Sequence, residues 1–308
     1  MRLLPIVLLL LAIQPSCAYV VVTISDLKPI VSAVCGEKIE VYSLLKPNVD
    51  PHRFSLGWKE VELLKGADLI VLVNSDLLSF EGKIREQYKN VLDFEDYGIE
   101  LEDFPGYPSN PHGYWLKPEN AIKIAYKVKE RLSEIYPKYS EEFDINFKKF
   151  KKRVERAEEE ALIIGRDLRG RKFVAMVPGV CYIASSLKVK VAYVLLSEGS
   201  GFVSASELRE VKEKLENGEY VGIIVPEFMR NAKGGEIAEQ IARDTGCKIA
   251  YVRFSSGDLD FDAILLSNAA RMVSAIRVKG ESSNTLVYIL SVLCLVEGAL
   301  LFFVRLRA

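Results

Sequence analysis

Apolar residues recur at Phe143, Phe147, Phe150, Val154, Ala157, Ala161, Ile164 and Leu168. Steps of three and four put them on one face of a helix, with Lys, Arg and Glu filling the positions between. The spacing predicts one long amphipathic helix over 140–168. Pro137 stops whatever precedes it, Ser140 is a good N-cap, Glu141 and Glu142 suit the first turn, and Arg166, Arg169 and Gly170 suit the far end. At 1.5 Å per residue such a helix reaches roughly 40 Å.

Strand and helix patterns alternate on both sides of it. Ahead of it, short apolar runs at 19–24, 38–45, 68–73 and 91–94 are separated by helical patterns at 26–35, 57–65 and 80–88, and a further helix begins at Pro118. The run at 68–73 is apolar throughout, as in a strand buried on both faces of a parallel sheet. The segment 98–114 carries prolines and glycines at short intervals and reads as loop. Behind the long helix, strands at 172–177, 190–195, 221–225 and 248–252 alternate with helices at 181–187, 206–215, 235–244 and 261–276. The expected fold is α/β: an N-terminal lobe over 19–137 and a C-terminal lobe over 171–278, each with a mostly parallel sheet, joined by a linking helix over 138–170. A ligand cleft belongs between two such lobes.

The chain ends change the picture of where the body sits. Residues 1–18 have Arg2 ahead of a short apolar stretch and Ser16-Cys17-Ala18 at its end, the pattern of a secretory signal peptide. Residues 286–304 are apolar over a length that crosses a hydrocarbon core and are followed by Arg305 and Arg307, the mark of a cytoplasmic flank. The expectation is a transmembrane helix at 286–304, reached through a polar linker at 279–285. The protein would then be a single-pass protein of the cell membrane, with an extracytoplasmic body and a short cytoplasmic C-terminus. With a net charge of -1, nucleic acid is not an expected partner. Outside the two end segments only Cys35, Cys181 and Cys247 remain, and no structural disulfide is expected.

The chemistry rests on few residues. The chain has two histidines, and their settings match: His52 follows Asp50-Pro51 after a strand, and His112 follows Asn110-Pro111 before a helix. Proline fixes the backbone just ahead of each imidazole, so both can be held toward one point. No phosphate-binding glycine loop, dinucleotide fingerprint or nucleophile elbow occurs, and two histidines leave Ser/His catalysis little to work with. An enzyme is not expected.

The runs Val21-Val22-Thr23-Ile24-Ser25, Val49-Asp50-Pro51-His52 and Leu63 to Val73, followed by Asn110-Pro111-His112-Gly113-Tyr114-Trp115-Leu116-Lys117-Pro118-Glu119-Asn120-Ala121, resemble the zinc and manganese class of metal-binding solute receptors of ABC importers. The long helix is also a feature of that family. The resemblance covers 20–276, more strongly in the first lobe, with one extra residue between His112 and Trp115. It implies capture of a divalent transition metal, zinc or manganese, for an ABC transporter permease, with His52 and His112 as two metal ligands.

In the second lobe the pattern departs from the family. Such receptors supply a third ligand after the first strand of that lobe and a fourth after its last strand, where this chain has Val177 and Arg253. Zinc wants four ligands. An arginine about 4 Å from a dication costs on the order of 8 kcal/mol at an effective dielectric near 20. Substitute ligands are sought in Cys181, Glu227, Asp258 and Asp260. The alternative is a diverged, metal-free member of the same fold, either a receptor for an anionic ligand that meets Arg253 or a membrane-tethered interaction module.

Overall fold

The computed structural model describes residues 18–47, 49–197, 201–255 and 259–276. The chain enters through β1 (Tyr19–Val22), a single 3-10 turn, and α1 (Lys28–Cys35), with Pro29 in the first turn, where its missing N–H costs nothing. Next come β2 (Glu40–Ser43), α2 (Trp58–Lys65), β3 (Leu69–Val71), α3 (Ser79–Gln87) and β4 (Val91–Leu92). The four strands are parallel in the order β2-β1-β3-β4. Every side chain of Val20 to Val22 and Leu69 to Val71 is fully buried. That is why the two central strands are unbroken aliphatic runs, whereas β2 at the sheet edge alternates exposed and half-buried positions.

Two helices stand between this sheet and the next, α4 (Pro118–Ile135) and α5 (Ser140–Ile164). The apolar stripe expected over 140–168 is present, but α5 is shorter. Its 25 residues span roughly 38 Å. At Gly165 the chain tightens into a 3-10 turn, Arg166–Leu168, which still buries Leu168. On α5, Phe143, Phe150, Val154, Ala157 and Ala161 are buried against α1, α4 and the last helix of the described chain. The helix is thus part of both hydrophobic cores, which resists hinging at its middle.

The second sheet is built from β5 (Lys172–Ala175), α6 (Cys181–Ser186), β6 (Lys190–Val194), a small antiparallel pair β7 (Leu196–Ser197) and β8 (Gly201–Phe202), α7 (Ala205–Glu216), β9 (Tyr220–Pro226), α8 (Lys233–Thr245), β10 (Lys248–Val252) and α9 (Phe261–Ser274). Ser204 and Glu207 close a capping box at the start of α7. The strands are parallel in the order β10-β9-β5-β6. The ring of Phe261 on α9 lies 6.1 Å from that of Phe150 on α5, so α9 returns to the long helix.

The two sheets share one topology. In each, the first strand goes to a neighbour on one side, and the third strand returns to its other side. Strand order therefore reverses between β1 and β3, and again between β5 and β9. Loops leaving the carboxyl ends of such strands diverge and leave a crevice.

The expected architecture needs one correction. Among the described residues no helix is long and apolar enough to cross a membrane. The segment 286–304, the linker 279–285 and nearly all of the signal at 1–18 lie outside the described residues. Apolar length gives a span its sequence signature, and α5, the longest described helix, carries charge on every turn but its last. The described fold is α/β with two parallel sheets, and a transmembrane helix is not part of it.

Candidate metal centre

Loops from both switch points line a cleft of about 1360 Å³. From the first sheet come Ser25 and Asp26 after β1, His52 after β2, and Leu77 and Leu78 after β3, with His112 and Trp115 ahead of α4. From the second come Val177 and Gly179 after β5, Glu227 and Phe228 after β9, and Arg253 to Ser255 after β10.

The histidines converge. Their ring centroids are 5.8 Å apart, with the rings tilted by 46°. His52 sits in a 3-10 turn, Pro51–Arg53, whose cap is Asp50; the Asp50 carboxylate accepts the backbone N–H of His52 at 3.0 Å. Asn110 does the same for His112, its Oδ1 accepting the backbone N–H at 3.0 Å, and the same oxygen lies 3.0 Å from His112 Nδ1. An atom that accepts from a backbone N–H is the carbonyl oxygen of the amide, so Nδ1 is the donor to it. That fixes the tautomer and makes Nε2 the nitrogen with a lone pair to give to a metal. The other end of the fully buried Asn110 amide donates to Pro178 O at 3.0 Å.

The wall opposite is held shut around that point. Tyr182 donates its hydroxyl to Asn110 O at 2.8 Å and accepts from the Glu102 N–H at 2.9 Å. Gly113 has φ +77°, and a Cβ there would lie 2.1 Å from Gly179 O. Ser25 and Ser255 bring their hydroxyls to 3.2 Å across the cleft. Burial pushes the nearby Asp26 carboxyl above its ordinary range, against hydrogen bonds that include Ser255 and Ser25.

Among its described residues, the second wall carries a cation where the resemblance places the fourth ligand. Arg253, at the position resembling the fourth ligand, donates its Nε–H to Glu227. Arg271 donates to the other Glu227 oxygen at 2.9 Å and to Tyr251 O at 2.8 Å. The Arg253 hydrogen bond, with Arg271 beside it, holds the Glu227 carboxyl below the usual carboxylate range. Two cations on one carboxylate leave the group net positive. Asn268 clasps the backbone of Arg253 at both its N–H and its carbonyl, 2.8 Å each.

The remaining candidates lie elsewhere. Cys181 is fully buried on α6 and is absent from the cleft wall; burial pushes its thiol up to about 12. Asp260 is paired with Arg153 of α5. Asp258 falls outside the described residues. The structure thus brings His52 and His112 together, places Glu227 on the same cleft in an ion pair, and leaves Cys181 and Asp260 apart from them. Among the described residues, no group of three or more His, Cys, Asp and Glu side chains is disposed to hold a metal ion. The reading from sequence missed Asn110, Tyr182 and Asp26. The repeated Asx-Pro-His setting was the available signal for Asn110, whereas the other two act through contacts distant in sequence.

Known proteins extend these observations. Residues 20–276 match the family described as zinc-uptake complex component A, periplasmic. The metal ABC transporter substrate-binding lipoprotein ScbA of Streptococcus cristatus is 24% identical over 247 residues, covering 75% of this chain and 77% of that protein. A putative metal-binding protein of Thermotoga maritima is 30% identical over 142 residues, 46% of this chain and 53% of its own length, so the chain matches about half of that protein. A manganese-bound periplasmic metal-binding protein of Candidatus Liberibacter asiaticus, solved as a point mutant, has the same fold: TM-score 0.71 at 16% identity, with 84% of this chain and all of that one covered. The expected localisation is corrected here. A single-pass protein with a C-terminal anchor is not supported, since no described helix can cross a membrane and the S. cristatus relative is named a lipoprotein, a class held at the membrane by attached lipid. Since the family match runs from the first strand to the end of the last described helix and takes in the whole cleft, the chain belongs to the family of periplasmic component A proteins of zinc-uptake complexes.

Proposed function

We propose that this chain is the extracytoplasmic receptor of an ABC importer and captures a divalent transition metal, zinc or manganese, for delivery to the permease. The observation that carries the reading is the pair of imidazoles, 5.8 Å between centroids in a cleft at the carboxyl ends of two parallel sheets, with the tautomer of His112 set by Asn110. Neutral imidazole is a good ligand for such metals, and protons compete with the metal for it. The metal here is cargo, and His52 and His112 are the residues that hold it. The zinc of the family name and the manganese of the structural relative support these two metals.

The net positive group formed by Arg253, Glu227 and Arg271 favours a second reading, an anionic ligand in the same cleft. Metal content by mass spectrometry separates the two. The purified protein is dialysed against zinc or manganese beside a His52→Ala/His112→Ala double variant. One equivalent retained by the native protein and lost from the variant is the expected result. Equal metal in both proteins would show that the histidines do not hold it.

A further inference from the structure

We propose that the chain is cut between Ala18 and Tyr19 and that Asp68 holds the new α-ammonium of Tyr19, so that the corner where β1 begins is a receptor for the processed N-terminus. This processing is independent of the metal.

The sequence supplies the cutting site. Ser16 and Ala18 are small residues three and one positions ahead of the bond, after the apolar stretch Pro5 to Ile13. Water adds across the Ala18–Tyr19 peptide bond on the emerging chain, a step supplied by a leader-cutting protease of the secretory route. The carboxylate leaves on Ala18, and the amine of Tyr19 takes up the proton that the new carboxyl gives up.

The fold supplies the receptor. The Tyr19 backbone nitrogen donates to Asp68 Oδ2 at 2.9 Å, and the Asp68 N–H donates back to Tyr19 O at 3.0 Å. A carboxylate therefore stands where a parallel ladder would set a backbone carbonyl, and the paired register of β1 with β3 starts one residue later, at Val20 and Leu69. The Tyr19 side chain is seated as well. Its hydroxyl donates to Leu63 O at 2.9 Å, Gly66 leaves room where a Cβ would collide with that hydroxyl, and its ring meets that of Tyr42 edge-on at 5.4 Å. Ahead of Tyr19 the chain is tied to β2 by the Glu40 N–H on Ala18 O at 3.3 Å, a long bond that cutting gives up.

Charge points the same way. While residue 19 is internal, Asp68 meets neutral partners, the Tyr19 N–H and the Tyr136 hydroxyl; burial and then this hydrogen bond raise the Tyr136 phenol above its ordinary range. A half-buried carboxylate is better matched by a cation, and an ammonium in place of the amide makes the 2.9 Å contact charge-assisted. Glu40, opposite Tyr19 on β2, adds negative charge, and Lys65 at the end of α2 is paired with Glu62. The Cys35 thiol beside Tyr136 is pushed up to about 12 by burial and stays neutral.

The full chain is expressed with its own leader in a secreting bacterial host, and the product is read by intact mass and N-terminal sequencing. Tyr19 is the expected first residue. Carbon NMR of protein labelled with 13C-tyrosine then titrates the α-amino group through the Tyr19 Cα, and its pKa should lie at least about one unit above the usual range of roughly 7.7–8.0. Asp68→Asn should return it to that range, and Asp68→Glu should keep part of the rise. Because the folded chain holds this proton more tightly than the unfolded chain, the stability it contributes is complete below about pH 7.7 and is lost as pH rises through about 9. Urea midpoints should therefore fall more steeply across that window for the chain beginning at Tyr19 than for one made to begin at Ala18, a comparison that does not depend on the Asp68 variants folding. A product that begins at Cys17 and carries lipid, a product cut elsewhere, an α-amino group that titrates in its usual range in the folded protein, or parallel urea curves would overturn the proposal.

Discussion

Replacement of Gly113 by alanine probes a close approach between the loop that carries His112 and the turn after β5. At φ +77° an L side chain is strained, and the added Cβ would sit 2.1 Å from the carbonyl oxygen of Gly179 and 2.9 Å from its carbon. The left-handed conformation costs about 1–2 kcal/mol. The contact is with backbone, so no side chain can swing aside; parting the two loops costs about 1–3 kcal/mol more, as for other overpacked sites. The total is roughly 2–5 kcal/mol, and at about 2–4 °C per kcal/mol for a body of this size Tm should fall by about 10 °C. Gly98→Ala is the control. Its φ is +61°, but nothing lies within 4 Å of the added Cβ, so only the conformational cost applies. Differential scanning calorimetry of both variants gives the contribution of the loop contact by subtraction. Equal losses in Tm would refute the tight seam between the His112 loop and Gly179.

Three further outcomes follow from particular contacts. Tyr182→Phe removes a hydroxyl that both donates to Asn110 O and accepts from Glu102 N–H, so urea unfolding should show a loss of about 1–3 kcal/mol; a change below about 0.5 kcal/mol would mean the bridge is idle. His112→Ala should abolish zinc retention at pH 7, checked by metal analysis after dialysis, and full retention would remove His112 from the ligand set. The carboxyl of Glu81 is fully buried, and burial pushes it up to about 7 despite hydrogen bonds from Thr23 and from the Val73 and Asn74 N–H groups, with Asp93 opposing its charge as well. Because the folded chain holds this proton more tightly than the unfolded chain, the stability it contributes is complete below about pH 4.5 and is lost as pH rises through about 7, an amount of about 3 kcal/mol. Urea midpoints measured from pH 5 to 8 should therefore fall more steeply in the native protein than in Glu81→Gln, and parallel curves would contradict this.

Local pattern was enough for much of the fold. The threes and fours from Phe143 to Ala161 specify one face of α5, and the unbroken aliphatic runs Val20 to Val22 and Leu69 to Val71 specify strands covered on both sides, because side-chain period and burial are properties of neighbouring residues. The matched Asx-Pro-His settings likewise marked His52 and His112, since capping by Asp50 and Asn110 acts across two residues. The end of α5 at Gly165 and the short pair β7-β8 were not visible in that way, because propensities around them are weak and packing decides.

Tertiary structure alone decided the chemistry of the opposite wall. Arg253 reads in the sequence as a free cation in a metal cleft, yet folding places it on Glu227, 26 residues away, with Arg271 on the other oxygen. Still longer separations in sequence hid the grip of Tyr182 on Asn110 and the approach of Gly179 to Gly113. No periodicity encodes such pairings. They arise where loops from two separate sheets meet at the carboxyl ends of their strands, and which residues meet there depends on strand order and on the helices that fix the sheets against each other.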